Sequence, residues 1–221
     1  MTLRGVIFDL DGTLLDTRSA QDAAARAWAT EQGDTAADVA ERWHLIAERH
    51  YRRYQLREIG FEDQRRERVR EFLGMELTDA EASELFSTYL ERYEAGWQRY
   101  ADALPALQRA RAASLRIVVL SNGQAAQQMR KLERFGLAEA IDAAVFSSEL
   151  PAGKPDPRAF HAALAAIDVD ARDAWMVGDN WDADVCGARG AGVFPVYLDR
   201  ENSRPTTECR RVTSLAELEF S

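Results

Sequence analysis

GVIFDLDGTLL, residues 5–15, decides the reading of this chain. Four apolar residues, Gly5–Phe8, run without a polar break and end abruptly in Asp9. A run this short and uniformly apolar is the pattern of a strand buried on both faces. Asp9 and Asp11 stand two apart, so in extended geometry both carboxylates leave the same side of the chain. Two like charges held together are costly unless a cation or a shared proton offsets them. Gly12 follows, where the backbone can turn in ways other residues resist.

Outward from this stretch, four more apolar, β-branched runs appear: Arg116–Leu120, Ala143–Phe146, Ala174–Val177 and Val193–Leu198. Amphipathic helical patterns lie around them, at Pro105–Ala113, Gln124–Phe135, Pro157–Ile167 and Asp182–Arg189. Alternation of this kind predicts an α/β fold, a Rossmann-like open parallel sheet with helices on both faces. Residues 17–100 break the rhythm. They contain no β-like run and read as helices at Ser19–Gln32, Thr35–Arg57, Phe61–Phe72 and Asp79–Gln98. The expected organisation is an α/β core of residues 1–16 and 101–221 with an α-helical insert at 17–100. The tail ends in Val212–Phe220, read as a short strand and helix.

The composition excludes several classes. With 221 residues, 46% hydrophobic and 29% charged, the chain is neither disordered nor low-complexity. It has no run of roughly 20 apolar residues for a membrane span, and MTLRGVIFDL lacks the features of a signal peptide. Two cysteines and a net charge of −9 fit a cytoplasmic protein that binds neither nucleic acid nor membrane. Monomer and dimer both stay open. Of 28 basic residues only Lys131 and Lys154 are lysine, so each invites the question of why arginine was not used.

Chemistry-bearing residues follow the strands, where open α/β sheets bind their ligands. Asp179 and Asp184 follow the fourth run and add to the Asp9–Asp11 pair. Hard oxygen donors without histidine or cysteine suit Mg²⁺ rather than zinc or copper. Asp182 reads as a helix cap. Lys154, in Gly153-Lys154-Pro155, offers a compact countercharge to a phosphate or to a reacting carboxylate. Ser121, Asn122 and Gly123 offer a hydroxyl, an amide and an open backbone at a helix start, suited to an oxyanion. His44, His50 and His161 form no ligand cluster and read as structural. Cys186 reads as core; Trp28, Trp43 and Trp97 as packing of the helical insert; Arg52, Arg53, Arg65 and Arg66 as a solvated face. No Walker loop, nucleophile elbow or dinucleotide glycine fingerprint is present.

Phe8-Asp9-Leu10-Asp11-Gly12-Thr13-Leu14 resembles the first motif of the haloacid dehalogenase-like hydrolase superfamily. Ser121-Asn122-Gly123 resembles its second, Lys154 in Gly-Lys-Pro-Asp-Pro its third, and Gly178-Asp179 with Asp184 its fourth. The helical insert resembles the superfamily's cap. The resemblance implies a Mg²⁺-dependent phosphatase acting on a small phosphorylated metabolite through an aspartyl-phosphate. It implies Asp9 as nucleophile and Asp11 as acid and base. Asp9, the Asp11 carbonyl and Asp179 would hold the metal, with Asp184 in support. Lys154 and Ser121, with backbone N–H groups near Asn122 and Gly123, would hold the phosphoryl oxygens. A phosphosugar mutase, a 2-haloacid dehalogenase-like hydrolase and a non-catalytic binding domain are the alternatives. Asp11 favours phosphate over halide, because a carbon–halogen bond leaves no oxygen to protonate. Asn180-Trp181 departs from the small or hydroxyl residues frequent after the fourth-motif aspartate.

Overall fold

The computed structural model describes residues 2–204 and 206–220. The chain divides into two compact units, Met1–Asp16 with Arg99–Ser221, and Thr17–Gln98.

In the first unit six strands form one parallel sheet: β1 Gly5–Phe8, β4 Arg116–Ser121, β5 Ala143–Phe146, β6 Ala174–Gly178, β7 Phe194–Leu198 and β8 Arg210–Val212. Their order across the sheet is β5-β4-β1-β6-β7-β8. Two further short strands, β2 Leu15–Asp16 and β3 Gln98–Arg99, pair with each other where the chain leaves the sheet and returns. The apolar runs are continuous because both sheet faces are covered. Val6, Phe8, Ile117, Val119 and Val177 pack on one side with Leu107 of α5 (Ala103–Ala112) and Leu132 of α6 (Ala125–Arg134). Ile7, Val118, Leu120 and Met176 pack on the other with Phe160 and Ala163 of α7 (Pro157–Ile167). Residues alternate between the two cores with the period of two that a strand imposes.

β1 is the strand from which the topology reverses. The chain passes from it to β4 and β5 on one side, then returns to β6, β7 and β8 on the other. Loops after β1, β4 and β6 therefore converge at one sheet edge, the place where such sheets bind ligands.

The last helical pattern takes an unexpected form. Trp181–Cys186 is a π-helical turn, followed by a short α-helix, Gly187–Gly190. The extra residue per turn rotates Asp184 and Val185 inward and Cys186 outward. Cys186 is therefore exposed rather than core. Asn180 caps this turn, its Oδ1 accepting from the Ala183 N–H at 2.8 Å, and Trp181 stacks edge-on against Tyr197.

The second unit is all helical: α1 Thr17–Glu31, α2 Val39–Gln55, α3 Phe61–Leu73 and α4 Asp79–Ala95. Its core is aromatic. Trp43 lies 5.1 Å from Trp28 and 4.5 Å from Tyr89, ring to ring, and Phe72 and Phe86 close the cluster. α2 starts at Val39, four residues later than its pattern suggests, because Asp34 takes the Ala36 N–H at 3.0 Å and holds a turn there. His50 pairs with Glu71 at 2.7 Å and His44 with Glu48 at 3.1 Å, both structural contacts. Arg65 lies over the Phe61 ring and Arg66 bonds Asp63, Asp79 and Ser83. Among the described residues no helix is long and apolar enough to cross a membrane.

Candidate active site

Asp9 continues β1 by one residue. Its N–H donates to the Val177 carbonyl at 2.9 Å, so it is held at the sheet edge by the same ladder as the strand. The chain then turns tightly: the Gly12 N–H donates to the Leu15 carbonyl and the Leu14 N–H to the Leu10 carbonyl. Gly12 has φ +89°, and a Cβ there would stand 2.3 Å from Asp179 Oδ2. Glycine is thus needed twice over, for the turn and for the approach of the Asp179 carboxylate. Thr13 Oγ1 donates to the other oxygen of Asp179 at 3.0 Å.

Asp184 arrives from the π-helical turn. Its Oδ2 accepts from the Asn180 N–H at 3.0 Å. Lys154 Nζ lies between Asp184 Oδ1 and Asp9 Oδ1, 2.6 Å from each. Carboxylate oxygens of Asp9, Asp179 and Asp184 lie within 4.8 Å of one another. Three hard anionic oxygens at that spacing fit a divalent cation of the Mg²⁺ type, and among the described residues no histidine or cysteine joins them to favour a softer ion.

The electrostatics follow from burial. Loss of water pushes the Asp9 carboxyl well above its ordinary value, and Asp184 and Asp179 add to this, against the pull of Lys154. Burial and the charge of Asp184 raise Asp179 to about 6, although the Thr13 hydroxyl opposes them. Burial acts to lower the Lys154 pKa, but Asp184 and Asp9 outweigh it and the ammonium is held charged. The cluster is an anionic pocket carrying one buried cation, and a divalent ion would relieve its remaining repulsion.

The segment after β4 is arranged differently from the simple cradle expected of Ser121, Asn122 and Gly123. The Asn122 side chain clamps the backbone of Lys154: Nδ2 donates to the Lys154 carbonyl at 2.8 Å, and Oδ1 accepts from its N–H at 2.7 Å. Its amide is thereby committed to holding the lysine loop. The Gly123 N–H donates to Ser121 Oγ at 3.2 Å.

Sequence reasoning gave no role to three residues that the structure brings in. Thr13 orients Asp179. Lys131 and Gln128, both on α6, bond Asp11: Lys131 Nζ donates to Oδ1 at 2.7 Å and Gln128 Nε2 to Oδ2 at 2.6 Å. The scarcity of lysine pointed to Lys131 as much as to Lys154. Its setting in an amphipathic helix, where a lysine is ordinary, hid the signal.

The profile of the haloacid dehalogenase-like hydrolases matches residues 3–192. The phosphoserine phosphatase of Thermus thermophilus is 40% identical over 135 residues, 61% of this chain and 53% of that protein. The match thus spans about half the length of that relative. The phosphoglycolate phosphatase of Rhodospirillum rubrum is 30% identical over 208 residues, 91% of this chain and 81% of that one. Among solved structures, the HAD-hydrolase YfnB of Bacillus subtilis, bound to magnesium, aligns with a TM-score of 0.80 at 20% identity. That alignment covers 98% of this chain and 97% of the other.

Proposed function

The chain belongs to the haloacid dehalogenase-like hydrolases, and from that premise we propose that it is a Mg²⁺-dependent phosphatase of small phosphorylated metabolites. The observation that carries this reading is Lys154 Nζ seated between Asp9 and Asp184, with Asp11 two residues after Asp9 in the turn that follows β1. It is a nucleophile, a countercharge and an acid at one sheet edge.

Asp9 attacks phosphorus, its carboxylate oxygen forming a bond to phosphorus as the bond to the leaving oxygen breaks. Asp11 gives its proton to that oxygen, and the alcohol departs. Asp11, now a carboxylate, takes a proton from a water whose oxygen attacks the same phosphorus. The bond from phosphorus to Asp9 breaks, which restores the Asp9 carboxylate and releases inorganic phosphate. Lys154 offsets charge beside Asp9, and the Ser121 hydroxyl donates to a phosphoryl oxygen. Asp9, Asp179 and the Asp11 carbonyl would hold Mg²⁺, with Asp184 in support. The ion supplies charge neutralisation between carboxylates and phosphate that would otherwise repel. Positioning and charge are most of what phosphoryl transfer requires. Asp11 argues for phosphate over halide, since a departing halide needs no proton.

The test is phosphate release over a panel of phosphorylated metabolites, with and without Mg²⁺. The named relatives put phosphoserine and phosphoglycolate at its head, followed by sugar phosphates and nucleotides. Turnover that stops in excess chelator is expected. Undiminished turnover in chelator, or halide release from a 2-haloacid in its place, would overturn the reading. Isomerised product with little free phosphate would make the protein a mutase instead.

A further inference from the structure

Lys131 is only 2% exposed and Gln128 only 1%. They stand three residues apart on α6, hence on one helix face, and both reach Asp11 from more than 110 positions away in sequence. Gln128 does more. The same Nε2 donates to Ser121 Oγ at 2.6 Å. With the Gly123 N–H also donating to that oxygen at 3.2 Å, both lone pairs of the hydroxyl are engaged. Its own hydrogen is what remains, and it can serve only an acceptor. Gly123 makes the arrangement possible, because a Cβ there would stand 2.3 Å from Gln128 Cδ.

We propose that Lys131 and Gln128 are positioning residues that hold Asp11 by both carboxylate oxygens and, through Gln128, turn the Ser121 hydroxyl into a donor for the phosphoryl group. This rests on the phosphatase reading above. Two donors on two oxygens stop the carboxylate from rotating about its Cβ–Cγ bond, so its free lone pairs face one direction. A stability role explains the pair poorly. A buried ammonium is costly, and a well-packed apolar residue would serve a core as well or better. A planar guanidinium could not replace the ammonium either, which accounts for lysine in a chain that otherwise uses arginine.

The test compares Lys131→Met and Gln128→Leu with the wild type. Both replacements keep side-chain size. Asp11 is 35% exposed, so water can replace the lost donor and both variants should fold; thermal melting checks this. The substrate is p-nitrophenyl phosphate, whose leaving group departs without a proton. In Lys131→Met, transfer to Asp9 should survive and hydrolysis of the phosphoenzyme should slow. A rapid-mixing trace should show a burst of about one p-nitrophenolate per protein, then turnover reduced at least about tenfold, with KM lowered in step and kcat/KM within about threefold, because transfer to Asp9 is untouched. Gln128→Leu should show the burst and, because Ser121 loses its orientation, a kcat/KM lowered about fivefold as well, the loss of about one hydrogen bond.

A Lys131→Met protein with wild-type turnover would overturn the proposal. So would a burst phase and a steady state that fall together alongside a lowered melting temperature, the pattern of general structural damage. Should Lys131→Met fail to fold, Gln128→Leu decides alone, because it removes a donor from Asp11 and from Ser121; unchanged kcat and KM there would equally overturn the proposal. Failure of the phosphatase reading is separate: wild-type protein would then release no p-nitrophenolate in Mg²⁺, and the present inference would fall with it.

Discussion

Lys154 makes two 2.6 Å contacts from one nitrogen, to carboxylates that reach it from β1 and from the π-helical turn. Those contacts require a point donor. A guanidinium spreads its N–H groups over a rigid plane and needs more volume than a site only 5% exposed offers. Lys154→Arg should therefore lose at least about tenfold in kcat/KM, or roughly 1.4 kcal/mol of transition-state stabilisation. The Asn122 clamp on the Lys154 backbone sharpens this, since the loop cannot shift to accommodate a longer side chain without breaking two bonds. Steady-state kinetics on whichever phosphate ester the panel identifies would check it. Wild-type rates would return Lys154 to the role of a structural ion pair.

At the scale of the element, the loop after β1 is the part with least freedom. It joins a strand end to β2 through a turn closed by three backbone bonds, from the N–H groups of Gly12, Leu14 and Leu15. Gly12→Ala meets two obstacles there. Its φ of +89° lies outside the range a Cβ tolerates, and the new methyl would press on Asp179 Oδ2. A strained backbone of this kind costs about 1–3 kcal/mol. The expected result is a lower urea midpoint together with weaker Mg²⁺ binding, because Asp179 is the side chain displaced. A loss of stability with unchanged Mg²⁺ affinity would show that the loop relaxes without moving the carboxylate.

The whole molecule should report the site's charge through its stability. Asp9 and Asp179 have carboxyls raised above their unfolded values. A carboxyl of that kind binds its proton more tightly in the folded state, so the metal-free protein loses stability as pH rises from about 4, through about 6 for Asp179 and well above the ordinary carboxylate range for Asp9. A divalent ion needs the deprotonated carboxylates and stabilises whichever state binds it. Mg²⁺ should therefore raise the melting temperature strongly at pH 7.5 and little at pH 5. Chelator should remove the gain. Thermal melts at the two pH values, with Mg²⁺ and with chelator, measure both effects. An equal gain at pH 5 and pH 7.5 would mean that the ion does not bind through these carboxylates.

How far the chain could be read in advance depends on the range of the interactions concerned. The five apolar runs and the helices between them were legible because burial on two sheet faces, or on one helix face, leaves a period in the residues themselves. Gly5–Phe8 and Ala143–Phe146 are strands at those bounds, and Pro157–Ile167 is a helix at its bounds. That Asp9, Ser121 and Asp179 stand at or just past the ends of β1, β4 and β6 follows from that pattern; the order of the strands across the sheet does not, because it depends on pairings between distant segments. Partners of individual side chains leave no such trace. Asp11 is bonded by a lysine 120 residues away, and Lys154 reaches an aspartate 145 residues away. Asn122 holds a loop 32 residues on. The π-helical turn that exposes Cys186 left no mark on the helical pattern read at Asp182–Arg189. Sequence by itself determined the layers and which residues stand at the sheet edge, because those depend on local periodicity. Only the tertiary structure decided that Lys131 and Gln128 belong with Asp11, because that contact exists only once α6 has packed beside the loop after β1.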